Sequence, residues 1–370
     1  MAAAADNPHT SCIQKSFNAR CAESNAAVNA SDGAGYAAGT MVWTLFDYYG
    51  EPPVGGQEVS STYGQYDLCG FPKAAASWYR TQWLLRIPDG PDKPFPTAGR
   101  HEAYLVESWE SPDAFPTTRG NRTRAVHAYS SARSVELLVN GKSHGVRAVK
   151  SMAEGPGSYA EWTTVPFEPG TLTAVALDSH GRAVATAERK TNGKPAGLTL
   201  AVDSPSELTG TGTHLLLDGQ DAALLRASVV DDSGRVVVLA DINISFRVIR
   251  GPGVIQGTHN GDPHSRLPND SPHYPAYHGL VRAVVRVTSV AGRPAAERAL
   301  LAGVEVRGPM APRSRGEAQG ESEVDAAIVV EAYSPGYAPA VVSIPVSTDP
   351  DRAGVMAAAS KYAGKSVSFF

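Results

Sequence analysis

The 370-residue sequence is poor in cysteine and has no long apolar run. Three cysteines are an odd count with no close pair, which argues against a disulfide framework and against a cysteine-based zinc site. They are Cys12, Cys21 and Cys69. No stretch approaches the roughly 18 apolar residues of a membrane helix, so no membrane partner is expected. The formal net charge is −4 and no basic stripe is visible, which argues against a nucleic-acid partner.

Several functional motifs are also missing. The sequence has no Gly-x-Ser-x-Gly elbow, which leaves a serine hydrolase triad without support. It has no glycine loop of the standard phosphate-binding spacings, so no cofactor is expected. The first residues lack the basic region and apolar core of a signal peptide. Four sequons would fit a secreted parent, although chance accounts for one or two, and the compartment stays open. They are Asn29, Asn121, Asn243 and Asn269.

Glycine and proline are abundant, with 36 and 27 residues, and they are spread along the chain. That distribution is typical of many short strands joined by turns. From about residue 96 the apolar residues alternate, as on half-buried strands. Val135–Val139 runs into Asn140-Gly141, a strong hairpin signal because both turn residues tolerate positive φ. The alternation continues beyond residue 198, so the sequence predicts two antiparallel β-sandwiches. The other predicted strands are 124–129, 170–177, 183–188, 198–202, 222–230, 242–249, 281–287, 328–333 and 340–346.

The part before residue 96 differs. Residues 38–47 are apolar and end in an acidic, aromatic, Gly/Pro-broken stretch, which predicts a buried strand that leads into a functional loop. Lys73–Leu85 carries Ala75, Trp78, Tyr79 and Trp83 at helical spacing, which predicts a helix.

The stretch from Gly39 to Pro52 resembles the last barrel strand of family 2 glycoside hydrolases, the β-galactosidase group, with its Trp-Thr-x-x-Asp-Tyr-x-Gly-Glu-Pro signature. Ser61–Lys73 is similar to the Ser-x-Phe-Gly-x-x-Asp-x-x-Gly-Phe-x-Lys segment that leads into the family's final barrel helix. Val135–Lys142 and the stretch from Trp162 to Gly170 resemble elements of the β-sandwich that follows the barrel. Gly257–Pro263 resembles a loop in the next immunoglobulin-like domain.

The resemblance implies a mainly β chain in which the end of a (β/α)8 barrel, one strand plus the final helix, precedes two β-sandwich or Ig-like domains. We expect the barrel remnant at 1–95, the first sandwich at 96–196, the second at 197–346 and a tail at 347–370. The stretch 307–321 is expected to be a long loop. Residues 1–36 show no period and are expected to be irregular.

The resemblance also implies a retaining β-glycosidase whose partner is a β-linked carbohydrate. Such an enzyme needs two carboxyl groups about 5 Å apart. In the family both are glutamates on earlier barrel strands, and the acid/base follows an asparagine. The sequence has no Asn-Glu pair before residue 38, and the setting of Glu23 does not resemble the nucleophile's strand. We therefore expect no catalytic residue in this chain, which would be inactive alone as a fragment or an incomplete gene product.

By the same resemblance, Trp43, Asp47, Glu51 and Asp67 are the candidate substrate-binding residues. Each has a structural alternative. Trp43 could lie in the core between barrel and helix, Asp47 and Glu51 could order the loop through backbone N–H bonds, and Asp67 could be a turn residue before Gly70.

Four histidines fall in a Pro/Asn-rich loop, but their spacing matches no metal-ligand pair, and a solvated loop is favoured over a metal site. They are His259, His264, His273 and His278.

The rival function is a non-catalytic carbohydrate-binding or adhesion protein built of Ig-like domains. That reading explains the sandwiches, but it leaves the signature around Trp43 and the Trp-rich helix without a purpose. The sugar, the linkage and the oligomeric state are left open.

Overall fold

A computed structural model describes residues 42–52, 56–83, 101–115, 118–149, 159–206, 211–288 and 327–348. This part of the chain is mainly β, as the sequence predicts, and it divides into two compact units. The first unit contains the described residues up to Lys194 together with Gly261–Arg266, and the second contains the rest. The predicted domain boundaries stay predictions. Residues 1–41 and the expected loop at 307–321 lie outside the described residues, as does the tail beyond residue 348.

Among the described residues, the secondary structure consists of one α-helix, a short 3-10 turn at Pro112–Ala114 and a series of strands. The helix is α1 (Ala74–Trp83). The strands are β1 (Ala103–Leu105), β2 (Thr123–Ser130), β3 (Ser134–Val139), β4 (Lys142–Ala148), β5 (Ala160–Pro166), β6 (Thr171–Leu177), β7 (Ala183–Lys190), β8 (Gly197–Ser204), β9 (Leu215–Leu216), β10 (Ala222–Val230), β11 (Asn243–Arg250), β12 (Gly253–His259), β13 (His273–Pro275), β14 (Leu280–Val287), β15 (Ala327–Tyr333) and β16 (Ala340–Ser347).

The first unit contains a β-sandwich of two sheets, ordered β1-β2-β5 and β4-β3-β6-β7. Its core takes alternate residues from both sheets, since side chains one apart on a strand point to opposite faces. Leu137 on β3, Leu172 on β6 and Leu105 on β1 are fully buried in one cluster with Trp109 and Trp162. Burying each leucine contributes about 1.5–3 kcal/mol of apolar transfer free energy.

The Asn140-Gly141 turn forms as the sequence predicts. Val139 and Lys142 are cross-strand partners, so the loop between β3 and β4 has two residues. Asn140 and Gly141 have φ values of 51° and 82°, and this positive pair suits the right-handed twist of the flanking strands. The Asn140 side chain also accepts a bond from the Thr171 N–H at 2.8 Å, which ties the turn to β6.

Helix α1 packs against the face of the β1-β2-β5 sheet that is turned away from the sandwich core. Ala75, Trp78 and Tyr79 are buried, as predicted, and Trp78 and Tyr79 cluster with Ala74, Val106 and Tyr129. The run of three alanines at its start favours the helical conformation. The helix thus joins the preceding segment to the first sandwich within one unit.

The second unit is another β-sandwich. Its two sheets have the orders β12-β14-β10-β8 and β13-β11-β15-β16-β9. Leu225 and Val285 from the first sheet and Ile244, Ile328 and Ile344 from the second are fully buried in one cluster. The two predicted sandwiches are therefore both present.

The predicted buried strand at 38–47 is not formed in the residues that are described, 42–47. They make one isolated parallel bridge, between Phe46 and Tyr66, and the side chains of Trp43, Leu45 and Phe46 are about half exposed or more. A barrel strand needs hydrogen-bonded neighbours on both sides. Within the described residues, segment 42–47 is bonded along one side only, so an irregular extended segment results.

Among the described residues, no helix combines the length and the apolar character that a membrane crossing requires.

Candidate functional site

The candidate site is built on two extended segments, 42–52 and 59–67, that lie side by side in the first unit. The Asp47 N–H donates to the Tyr66 carbonyl at 2.9 Å, and the Tyr66 N–H donates to the Leu45 carbonyl at 2.9 Å. Further along, the Ser61 N–H donates to the Tyr48 carbonyl at 2.8 Å. These backbone bonds hold the segment that carries Trp43, although neither segment is a regular strand.

Gly64 allows the two segments to approach each other. A Cβ atom at this position would lie 2.2 Å from the Asp47 nitrogen and 2.5 Å from the Tyr66 carbonyl oxygen. Backbone atoms cannot yield to such an overlap as a flexible side chain can. Close contact between the two segments therefore explains why the first glycine of the Ser61–Lys73 motif, Gly64, has no side chain.

Asp47 is buried and forms an ion pair with Lys73, which precedes α1. The Lys73 ammonium donates to both carboxylate oxygens, at 2.8 and 3.0 Å, and to the Thr62 carbonyl at 3.0 Å. The Gly64 N–H also donates to Asp47 at 2.8 Å. Burial raises the pKa of the Asp47 carboxyl and lowers the pKa of the Lys73 ammonium, and their mutual attraction opposes both shifts. Asp47 thus makes bonds that order the loop, which is the structural alternative to a sugar contact for this residue.

Asp67 is also buried. Its Oδ1 accepts backbone N–H bonds from Cys69 at 2.8 Å and from Phe71 at 2.9 Å, which closes the turn before α1. Burial raises the pKa of Asp67 to about 7, while those backbone bonds and the Lys73 ammonium act in the opposite direction. The carboxyl therefore exchanges its proton near neutrality.

Trp43 lies at the surface and is 66% exposed, beside a polar edge formed by Tyr48 and Glu51. The Trp43 indole N–H donates to the Tyr48 hydroxyl at 3.0 Å, and that hydroxyl donates to the Glu51 carboxylate. The bond to Glu51 raises the pKa of the Tyr48 phenol. The Tyr63 hydroxyl donates to the Glu51 carbonyl at 3.1 Å. Within the described residues, neither the helix nor the sandwich covers the Trp43 side chain.

The four predicted residues therefore separate into two groups. Trp43 and Glu51 share a hydrogen-bonded surface cluster through Tyr48, whereas the carboxylates of Asp47 and Asp67 are engaged in the interior. Tyr48 and Lys73 are not among the site residues predicted from the sequence. Lys73 could have been found from its position directly before three alanines at the start of an apolar helix face. A charged side chain that is buried there needs a partner of opposite charge.

The histidines of the Pro/Asn-rich loop do not converge. The His259 ring packs on Tyr274, His264 contacts Asp262, and His273 contacts the Ser245 hydroxyl. Across the described ranges, no group of three or more histidine, cysteine, aspartate or glutamate side chains has a metal-binding arrangement.

Two parts of the chain match known families of domains. Residues 121–185 match a domain of unknown function (DUF4982), and residues 206–295 match the glycoside hydrolase family 2 C-terminal domain 5. The first match covers β2 to β6 and the start of β7, and the second covers β9 to β14.

Curated relatives match about two thirds of the chain. A β-galactosidase of Bacteroides ovatus is 32% identical over 252 residues, which is 68% of this chain and 26% of the relative. A β-glucuronidase of Formosa agariphila is 28% identical over 234 residues, which is 62% of this chain and 20% of the relative. The chain thus spans about a quarter or less of the length of these relatives.

Solved structures share the fold. A β-glycosidase from Bacteroides vulgatus superimposes with a TM-score of 0.59 at 19% identity, over 82% of this chain and 30% of that one. A glycosyl hydrolase family 2 member from Bacteroides cellulosilyticus gives a TM-score of 0.57 at 21% identity, over 82% and 33% of the two chains.

Proposed function

Because the chain belongs to glycoside hydrolase family 2, we propose that it is part of a longer retaining β-glycosidase, most similar to a β-galactosidase. In this proposal residues 42–83 belong to the end of the catalytic barrel and the two sandwiches are accessory domains. The chain contributes one wall of the sugar subsite and no catalytic carboxyl group. The observation that carries the proposal is the exposed Trp43, held by Tyr48 and Glu51, in a chain whose second sandwich matches the family's C-terminal domain.

The surface cluster suits a sugar ring chemically. A pyranose presents an apolar face of C–H groups and an equatorial rim of hydroxyls, and an indole face packs on the former while carboxylates accept bonds from the latter. Trp43 supplies the face, and Glu51 with Tyr48 supplies the acceptors. The Tyr48 bond also orients the indole, so part of the ordering entropy is lost before the sugar binds.

Asp47 and Asp67 have a different part in this proposal. Their oxygens already accept bonds from Lys73, Gly64, Cys69 and Phe71, so they position the two segments and do not contact the sugar. The substrate-binding residues of this proposal are Trp43 and Glu51.

Hydrolysis with retention uses two carboxyl groups in sequence. One attacks the anomeric carbon, the other protonates the departing glycosidic oxygen, and the covalent glycosyl-enzyme is then hydrolysed by water with the second group acting as a base. The resemblance assigns both groups to earlier barrel strands. Without nucleophile and proton donor, the subsite wall cannot lower the barrier of bond cleavage.

We therefore expect no turnover by the purified 370-residue chain. The measurement is release of nitrophenol from a nitrophenyl β-galactoside, compared with a buffer blank and with an active β-galactosidase as positive control. Nitrophenol release that exceeds the blank and rises with the concentration of this chain would overturn the assignment of both carboxyl groups to residues outside it.

The reading frame preceding Met1 in the genomic DNA distinguishes this proposal from a non-catalytic binding protein. A continuous frame that encodes barrel strands with an Asn-Glu pair supports the glycosidase. A promoter directly before Met1, with no barrel sequence, supports the binding protein and contradicts the proposal.

In the parent enzyme, Trp43→Ala should lower kcat/KM by about 30-fold, because losing the stacked face removes about 2 kcal/mol of transition-state binding. Leu45→Ala is the matched control, since Leu45 is an exposed apolar residue of the same segment with no assigned sugar contact. Equal effects of the two substitutions would contradict a specific role for Trp43.

A further inference from the structure

The segment Gly261–Arg266 packs in the first unit although the residues before and after it belong to the second. The Val59 N–H donates to the Pro263 carbonyl at 2.8 Å. The His264 imidazole lies 3.8 Å from the Glu58 carboxylate. The segment therefore contacts the loop that follows the Trp43 signature.

The fit at Gly261 is close. Its φ is +82°, and a Cβ atom there would lie 2.1 Å from Oδ2 of Asp67 and 2.6 Å from its Cγ. Asp67 itself is 8% exposed. Gly261 thus packs directly against the Asp67 carboxyl, which forms the turn before α1.

Backbone bonds continue from Pro263 to the surface cluster. Val59 donates to Pro263 on one side, and its carbonyl accepts from the Gly50 N–H at 3.1 Å on the other. Two residues further, Ser61 and Tyr48 are bonded twice, through the Ser61 N–H at 2.8 Å and through the Ser61 hydroxyl, which accepts from the Tyr48 N–H at 3.1 Å. Tyr48 in turn holds the Trp43 indole.

We propose that the segment Gly261–Arg266 is a positioning element for the surface cluster of Trp43, Tyr48 and Glu51. It fixes Val59–Ser61 from one side and thereby sets the backbone of Tyr48, whose hydroxyl orients the indole. This segment of the first unit lies within residues 206–295, which match the family 2 C-terminal domain, and it controls the geometry of the proposed sugar wall. The functional meaning of this inference rests on the proposed function, whereas the structural coupling does not.

The test uses the full chain labelled with 5-fluorotryptophan and fluorine NMR. The chain has five tryptophans, and Trp43→Phe identifies the Trp43 resonance. Gly261→Ala is expected to shift or broaden that resonance while the resonances of the core residues Trp109 and Trp162 stay in place. The matched control is Gly181→Ala, which has the same left-handed backbone strain at φ +75° but no atom within 4 Å of the new Cβ.

A rescue variant separates this coupling from general damage. In Gly261→Ala/Asp67→Ser the side chain that would overlap the new methyl is shortened, and a serine hydroxyl can still accept a turn bond. Return of the Trp43 resonance toward its wild-type position supports the proposal. A Trp43 resonance that is unchanged in Gly261→Ala, or that moves equally in Gly181→Ala, overturns it.

Hydrogen exchange on the unaltered chain gives a readout that needs no variant to fold. The Val59 and Ser61 amides are expected to exchange at least tenfold more slowly than an unstructured peptide of the same sequence, because both are donors in these bonds. Unprotected exchange across residues 56–62 would overturn the proposal. Neither readout involves turnover, so a failed glycosidase assignment leaves the outcome interpretable.

Discussion

Replacing Lys73 with methionine is expected to lower the free energy of unfolding of the first unit by about 3–5 kcal/mol at neutral pH. The substitution leaves the Asp47 carboxylate buried with the Gly64 N–H as its remaining bonded partner in the described structure. Methionine keeps most of the volume of the lysine stem, so the loss reports the charge and its bonds. The loss should be smaller at pH 5 than at pH 8, because Asp47 can take up a proton instead.

Urea unfolding followed by tryptophan fluorescence measures this loss selectively. All five tryptophans precede residue 195, so the signal reports the first unit. The matched control is the double variant Asp47→Asn/Lys73→Met, in which neither charge is buried, and it should recover at least half of the loss. A double variant as unstable as Lys73→Met would show that packing of the lysine stem, and not the unpaired carboxylate, accounts for the effect.

Replacing Asp67 with asparagine is expected to remove a decline of stability with rising pH. The pKa of this carboxyl is about 7 in the folded protein and about 3.9 in an unfolded chain. Below about pH 4 both states hold the proton, and Asp67 adds no pH dependence. Between about pH 4 and 7 the unfolded chain releases the proton first, so stability falls as pH rises, by about 3 kcal/mol between pH 5 and pH 8.

The same fluorescence-detected unfolding, repeated from pH 5 to pH 8, checks this result. Asparagine keeps the Oδ1 acceptor for the Cys69 and Phe71 N–H groups. The nearby groups Asp47 and Lys73 titrate in both proteins, so the difference between the two profiles isolates Asp67. Parallel profiles for wild type and Asp67→Asn would show that this carboxyl titrates at its ordinary pKa in the folded state.

Strands of the two sandwiches were predictable because alternation in the sequence maps directly onto the two faces of a sheet. On β3 every second residue is fully or nearly fully buried, and the Asn140-Gly141 pair fixes where the strand ends. The short strand β9 was not predicted, since two residues give no period and its parallel partner lies on β16. The bulge at Ile255–Gly257 interrupts the alternation of β12 in the same way.

The segment around Trp43 shows that the composition of a segment does not determine whether it forms a buried strand. Apolar residues on both faces predicted burial, yet burial of a strand depends on neighbours that the sequence of the segment does not specify. The same holds for the ion pair between Asp47 and Lys73, which are 26 positions apart. The resemblance places both residues in family motifs, but their pairing becomes visible only in the folded structure.

The pairing of β9 with β16 also bears on the order of events during synthesis on the ribosome. Leu215 pairs with Val346, and β15 and β16 lie between β11 and β9 in their sheet, so the second sandwich cannot close until its last strand has left the exit tunnel. The sheets of the first sandwich are complete at β7, far earlier in the chain. The first sandwich can therefore become compact while the later strands are still being translated. The apolar faces of β10 and β14 stay uncovered until the sheet that contains β15 and β16 has formed.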